Sequence, residues 1–133
     1  MDHLVLKRNQ WEEMRRQVAA DAPIEACGLL AGTQTDVQRV VPVPNALNSP
    51  YRYRFDPHAQ LAAFDQIEQS GLEILAIYHS HPKGPPHPSP IDVNEAFYPL
   101  VYVIWSQMDG DWQAKGYWIE SGEFKAVPIE IIV

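Results

Sequence analysis

Two histidines and one aspartate are spaced so that their side chains can converge on one point. His79 and His81 lie two residues apart at the end of an apolar run, and strand geometry sends side chains two residues apart to the same face. Asp92 follows a proline-rich loop, in the first turn of a predicted short helix. Two imidazole nitrogens and a carboxylate are the donors of a three-ligand Zn²⁺ site that keeps its fourth position open. The pattern therefore indicates catalytic zinc, with an ordinary strand-end histidine pair as the alternative.

The same stretch has an unusual composition. Three of the five histidines and five of the twelve prolines fall within residues 79–90. Prolines restrict the backbone of an unfolded chain, so less conformational freedom is lost when such a loop becomes ordered. The loop is therefore expected to hold the two histidines and Asp92 at a defined separation.

Two further residues are candidates for catalysis at such a site. Glu25 stands directly before the apolar run 26–31, where a carboxylate could take a proton from the attacking water. Ser89, three residues before Asp92, could donate a hydrogen bond to a developing oxyanion. Each has a simpler interpretation: Glu25 as a surface acid, and Ser89 with Asp92 as a helix capping box. Neither residue decides the matter by itself.

Taken together, the motifs resemble the JAMM (MPN+) zinc metallopeptidases. His79-Ser80-His81-Pro82, six further residues and then Ser89-Pro90-Ile91-Asp92 match the pattern His-x-His-Pro-x6-Ser-x2-Asp. Upstream, residues 23–32 (PIEACGLLAG) resemble the glutamate-bearing strand of that family, and the segments at 48–50 and 55–57 are similar as well. The resemblance covers nearly the whole chain and departs at no motif position.

The resemblance implies a role for each candidate residue. His79, His81 and Asp92 would hold one catalytic zinc ion. Glu25 would activate the attacking water and later pass the proton to the leaving amine, and Ser89 would steady the tetrahedral intermediate. The implied fold is a cytidine-deaminase-like mixed sheet flanked by helices. The zinc pattern of the deaminases themselves is absent, so the chemistry expected is that of a peptidase.

Hydrophobic spacing predicts one α/β domain over residues 1–133, with a mixed sheet and about three helices. The first helix is predicted over residues 10–20, with a capping box of Asn9 and Glu12. A second runs from Asp56-Pro57 to Gly71 with Leu61, Phe64 and Ile67 as its apolar stripe, and a third starts at Ser89. Strands are predicted over residues 26–31, 37–43, 72–78, 100–105, 112–119 and 124–133, and residues 51–55 are expected to be extended.

Charge and composition exclude several classes of protein. Ten basic residues against 17 acidic ones give a net charge of −7, which argues against binding to nucleic acid or to an anionic membrane. The single cysteine, Cys27, excludes an internal disulfide and a site with several thiolates, and a small core residue is favoured over a thiol nucleophile. The chain contains neither an apolar run of about 18 residues nor a signal-like N-terminus, so a cytoplasmic location is expected.

Several other polar and aromatic residues have simpler explanations than a role in the site. His87 lies in a loop along which a substrate backbone could pass, but it is expected to be a solvent-exposed histidine, and Glu95 is expected to be a surface acid. Arg52 and Arg54 either grip an acidic partner or lie on a solvated edge. Trp105, Trp112 and Trp118 are expected to pack the last strands.

Resemblance to the compact bacterial members implies a substrate class. Pro99 follows Asp92 closely, so the chain has no room there for the insertions that help large relatives bind ubiquitin. The implied reaction is hydrolysis of a peptide or isopeptide bond after the C-terminal Gly-Gly of a ubiquitin-like or sulfur-carrier protein. Glycine lets an extended backbone approach a metal closely. Two alternatives stay open: a non-catalytic MPN-type interaction module, and a zinc amidohydrolase of a small-molecule amide. The oligomeric state stays open as well.

Overall fold

An eight-stranded mixed sheet carries the fold in the computed structural model, which describes residues 2–133. The sheet order is β7-β6-β5-β4-β2-β3-β1-β8. β4 is parallel to β5, and β1 is parallel to both β3 and β8, whereas the other neighbours are antiparallel. The predicted mixed sheet with three helices is confirmed. The elements are β1 Leu4–Lys7, α1 Arg8–Asp21, β2 Cys27–Thr33, β3 Asp36–Val43, α2 Pro57–Gln69, β4 Glu73–His81, α3 Pro90–Asn94, β5 Val101–Met108, β6 Asp111–Glu120, β7 Glu123–Val127 and β8 Ile129–Ile132.

Each face of the sheet is covered by its own apolar cluster. Side chains alternate between the faces along a strand, so neighbouring residues of β2 enter different clusters. The α1 face contains Leu4, Met14, Val18, Leu30, Tyr78, Val103 and Trp105, among others. The α2 face contains Cys27, Leu29, Ala63, Ile67, Ile77 and Ile104, among others. As expected, Trp105 and Trp112 are buried and Trp118 packs against the core.

β4 lies in the middle of the sheet, between β2 and β5, and is buried on both faces. Its register pairs His79 with Cys27 on one side and with Ile104 on the other. The ring of Tyr78 packs directly against Gly28, where an added Cβ atom would overlap the Tyr78 ring. The end of β4 is therefore rigidly placed, and any side chain it carries there is held by two neighbouring strands.

Two details of the first two helices differ from the prediction. α1 begins at Arg8, because the Lys7 N–H donates to Gln10 Oε1 at 2.9 Å and Gln10 Nε2 binds the Val37 carbonyl. The predicted capping box of Asn9 and Glu12 is therefore wrong. Leu61 is 71% exposed rather than part of the apolar stripe of α2. Ala63 and Ile67 share the buried face, and Leu61 lies about 200° around the helix from Ala63.

The C-terminal part of the chain forms two strands rather than the single predicted one. Pro128 lies between β7 and β8 and carries no N–H to continue a ladder. β7 pairs with β6 at one edge of the sheet, and β8 pairs with β1 at the other. Within residues 2–133, helices long and apolar enough to cross a membrane are absent.

Candidate metal centre

The structure brings His79, His81 and Asp92 together around one point. His79 Nε2 and His81 Nε2 are 3.1 Å apart. Asp92 Oδ1 lies 3.1 Å from His79 Nε2, and Asp92 Oδ2 lies 2.9 Å from His81 Nε2. Both imidazoles are almost completely buried. Four donor atoms from three side chains therefore face one another at the end of β4.

Each imidazole is oriented by a neighbour. His81 Nδ1 lies 2.6 Å from the Pro85 carbonyl oxygen, so an N–H at Nδ1 would donate to it, and Nε2 is left facing Asp92, where a metal ion would take the place of its proton. The ring of Tyr53 stacks on His79 with centroids 4.5 Å apart. Burial lowers the pKa of His79 below its ordinary value. Burial also lowers that of His81, but hydrogen bonds to Asp92 and the Pro85 carbonyl outweigh it and raise the pKa overall.

Asp92 is positioned by a reciprocal capping box at the start of α3. The Asp92 N–H donates to Ser89 Oγ at 3.1 Å, and the Ser89 N–H donates to Asp92 Oδ2 at 2.9 Å. The capping interpretation of these two residues is therefore correct, and the same geometry holds the carboxylate against the histidines. Burial opposes ionisation of Asp92, but His79, His81 and the Ser89 N–H together bring its pKa well below the usual range. The carboxylate is available as an anionic ligand.

Glu25 is a buried carboxyl beside the histidines, not a surface acid. Its side chain is 3% exposed, and Oε1 has no hydrogen-bond partner in the described structure. One ligand atom each from Glu25, His79 and His81 lie within 4.8 Å of one another. Burial raises the pKa of Glu25 to about 8; His81 opposes this shift and Asp92 adds to it. A carboxyl in this state can exchange a proton near neutral pH.

Long-range contacts place Glu25 there. The Glu25 N–H donates to the Ser49 carbonyl at 2.9 Å, and Asn45 Nδ2 donates to the Glu25 carbonyl at 3.1 Å. One residue later, the Ala26 N–H donates to Ser80 Oγ, between the two histidines of β4. The first two bonds fix the Glu25 backbone to residues 45–49, and the third links the entry to β2 with the end of β4, more than 50 residues further along the chain.

The donor set fits a divalent metal ion. Imidazole nitrogens and carboxylate oxygens are ligands that zinc accepts, and His79 with His81 would supply two of them. The buried, unpartnered Glu25 Oε1 is a polar atom that the protein leaves free at this place. The cluster can therefore hold a metal while a carboxyl stays available for proton transfer.

Other candidate residues lie outside this cluster. His87 is exposed, and its ring is parallel to that of Phe124 within 7°. Cys27 is buried, its Sγ–H donates to the Val43 carbonyl, and burial raises the pKa of the thiol to about 12, as a core residue requires. Arg52 forms an ion pair with Glu95, which links the segment that carries Tyr53 to the end of α3. Arg54 is exposed.

Sequence reasoning missed two groups that shape the site. The sequence shows Tyr53 only as part of an extended segment in which aromatic and basic residues alternate. This alternation does not indicate that the Tyr53 ring stacks on His79. The Pro85 carbonyl is a backbone group, so no side-chain pattern could have identified it. Sequence reasoning also missed the pairing of Glu95 with Arg52.

The chain matches a known family over most of its length. Residues 7–118 match the prokaryotic homologs of the JAB domain. The chain belongs to this family. The resemblance to the JAMM metallopeptidases inferred from the motifs is thereby confirmed.

This prokaryotic JAB protein has relatives with named activities. It is 48% identical over 102 residues to the probable TtuB-protein conjugate cleaving protease of Thermus thermophilus, covering 76% of this chain and 68% of the relative. It is 32% identical over 133 residues to the CysO-cysteine peptidase of Mycobacterium tuberculosis, covering 97% and 91%. A solution structure of a Desulfitobacterium hafniense protein, 34% identical, superposes with a TM-score of 0.86 and covers 96% of this chain and 92% of its own.

Proposed function

We propose that this prokaryotic JAB protein is a zinc-dependent peptidase acting on a ubiquitin-like or sulfur-carrier protein. The bond cleaved is the peptide or isopeptide bond that follows the C-terminal Gly-Gly of the carrier. One observation carries the proposal: the imidazoles of His79 and His81 and the carboxylate of Asp92 converge, with the buried carboxyl of Glu25 beside them. The names of the two relatives support the reaction and the class of substrate.

His79, His81 and Asp92 would hold the zinc ion. Asp92 suits the role of ligand because its carboxylate is kept ionised by both histidines and by the Ser89 N–H. His81 is suited to be a ligand because its Nδ1 is hydrogen-bonded to the Pro85 carbonyl, which leaves Nε2 to bind the metal. Zinc in this place supplies Lewis-acid chemistry, which makes a water more acidic and polarises the scissile carbonyl.

Glu25 carries the proton in this proposal. Its unpartnered oxygen lies near the histidines, where it can accept a proton from the attacking water and return it to the leaving amine. Burial, which raises its pKa to about 8, makes it a stronger base than an exposed glutamate and also a usable acid. Because its pKa is high, Glu25 can carry the proton, and because its pKa is low, Asp92 stays ionised and can bind the metal.

Ser89 stabilises the oxyanion. Its Oγ already accepts the Asp92 N–H, so the hydroxyl proton is free to be donated elsewhere. A donor placed before the reaction needs no reorganisation as negative charge develops on the carbonyl oxygen. The capping role and the catalytic role of Ser89 are therefore compatible.

The test combines metal analysis with two substitutions. Purified protein should contain about one zinc per chain and cleave a carrier whose Gly-Gly is followed by a reporter protein. Glu25→Gln should keep the zinc and lose cleavage, whereas Asp92→Asn should lose most of the zinc. Full activity of Glu25→Gln or of metal-stripped protein would overturn the proposal. Zinc-loaded protein that binds the carrier without cleaving it would overturn it too.

A further inference from the structure

A tyrosine outside the metal cluster holds the loop that orients His81. Tyr117 lies on β6 and is buried, and its hydroxyl donates to the Pro86 carbonyl at 2.8 Å. The preceding carbonyl, that of Pro85, lies 2.6 Å from His81 Nδ1. Two consecutive carbonyls of the loop are thus engaged, one by the tyrosine and one by a metal-centre histidine.

The loop has few backbone hydrogen bonds to hold it in place within the described structure. Residues 82, 85, 86 and 88 are prolines, which carry no N–H, so this stretch cannot form a regular backbone ladder. A backbone bond from the Gly84 N–H to the His81 carbonyl closes its first turn. Beyond that turn, the Tyr117 hydroxyl reaches the loop from another part of the fold.

Aromatic contacts strengthen the same connection. Phe124 of β7 meets the Tyr117 ring edge-on with centroids 5.6 Å apart, and its ring is also parallel to that of His87 in the loop, with centroids 6.1 Å apart. The β6–β7 hairpin therefore contacts the loop at Pro86 and again at His87. Burial raises the pKa of Tyr117 above its ordinary value, so its hydroxyl stays protonated and remains a donor.

The orientation of His81 depends on where the Pro85 carbonyl lies. With an N–H at Nδ1 bonded to that carbonyl, the Nε2 lone pair points at the proposed metal position. The Pro85 and Pro86 carbonyls belong to adjacent residues, so a displacement of one moves the other. We propose that Tyr117 is a positioning residue for the metal centre, acting on His81 through the Pro86 and Pro85 carbonyls. The inference rests on the proposed metal centre and adds a residue to it.

Tyr117→Phe tests the proposal because it removes the hydroxyl and keeps the ring. Tyr102→Phe is the matched control: Tyr102 is also buried, and its hydroxyl also donates to a loop carbonyl, that of Tyr98 at 3.3 Å. Zinc affinity is measured by competition with a metallochromic chelator. We expect Tyr117→Phe to weaken zinc binding about tenfold, the lower end of the effect of losing an outer-shell partner. Tyr102→Phe should stay within about twofold of the wild type.

A second readout follows the Nδ1 hydrogen bond of His81 directly. Long-range ¹H–¹⁵N spectra of the zinc-loaded protein should show the His81 Nδ1–H shifted downfield by its hydrogen bond to the Pro85 carbonyl, in the wild type and in Tyr102→Phe. In Tyr117→Phe this resonance should move upfield and exchange faster with water. A loss of general stability would leave the resonance unchanged in a protein that is still folded.

The outcomes separate the two proposals. Wild-type protein that binds no zinc would contradict the proposed function itself. Zinc binding by the wild type, with the same affinity and the same His81 Nδ1–H resonance in Tyr117→Phe, would overturn only the role of Tyr117. An equal loss of affinity in Tyr117→Phe and Tyr102→Phe would overturn it as well.

Discussion

Replacing Glu25 by glutamine should make the metal-free protein more stable, and increasingly so as the pH rises. Glu25 is buried, its Oε1 has no hydrogen-bond partner among residues 2–133, and its pKa is raised to about 8. Glutamine has nearly the same shape and is neutral at every pH, so it imitates the protonated form of the wild-type residue. The difference in stability between the two proteins therefore isolates the free energy of ionising Glu25 in its buried place.

The direction follows from proton uptake. In the unfolded chain this carboxyl titrates near 4.5, whereas in the folded protein it titrates near 8. Between these values the folded state binds a proton that the unfolded state has lost, so the free energy of unfolding of the wild type falls as the pH rises. Below the pKa of the unfolded state, ionisation of Glu25 contributes nothing to the difference in stability between the two proteins. Above the pKa of the folded state, this contribution has reached its full value.

The magnitude follows from the same two pKa values. One pH unit corresponds to about 1.4 kcal/mol, so the stability difference should grow by at most about 3 to 4 kcal/mol between pH 5 and pH 8. Relaxation of the surroundings reduces this figure, and we expect at least about 1 kcal/mol. Such a change is a large part of the total stability of a small domain, about 5–15 kcal/mol.

Urea unfolding followed by tryptophan fluorescence measures the difference. Both proteins are unfolded with excess chelator present at four pH values from 5 to 8. Ile77→Val is the control, since it removes one methylene group from the apolar cluster on the α2 face and no titrating group. A difference between wild type and Glu25→Gln that stays constant across this range, parallel to that of Ile77→Val, would refute the burial argument for Glu25.

Two further substitutions test the packing around the site. Gly28→Ala should lower the free energy of unfolding by about 3 kcal/mol, because the new methyl group would overlap the fully buried ring of Tyr78. Urea unfolding measures this loss of stability. When Tyr78 is already replaced by leucine, Gly28→Ala should cost less than it does in the wild type. A loss below about 0.5 kcal/mol in the wild type would contradict the close packing. Arg52→Ala and Glu95→Ala should each cost less than about 1 kcal/mol, since both side chains are more than one-third exposed. Their double-mutant coupling should shrink in 1 M salt, and a coupling that salt leaves unchanged would contradict a solvent-screened ion pair.

Local patterns predicted the elements well where local physics places them. α2 begins at Pro57 with Asp56 accepting the Ala59 N–H, as the Asp-Pro pair indicates. The start of α1 was predicted less well, because Gln10 is held by a carbonyl of β3, which no local rule includes. The division of the last strand at Pro128 depends on its two halves pairing with different edges of the sheet.

For the site, too, local patterns predict only the features that depend on residues close together in the sequence. Strand periodicity alone places His79 and His81 on one face, and the capping box alone predicts the bonds between Ser89 and Asp92. Both inferences involve residues within a few positions of each other, where bond lengths and staggered angles leave few arrangements.

Only the tertiary structure decided how these pieces meet. The antiparallel register of β2 and β4 sets the entry of β2, and with it Glu25, beside the end of β4. Burial then raises the pKa of Glu25, whereas the two histidines and the Ser89 N–H lower that of Asp92 in spite of its burial, a separation that composition cannot produce. Tyr117 reaches the loop from β6, about 30 residues further along the chain. The residue types are local information, whereas register, burial and long-range contact depend on how the whole sheet packs.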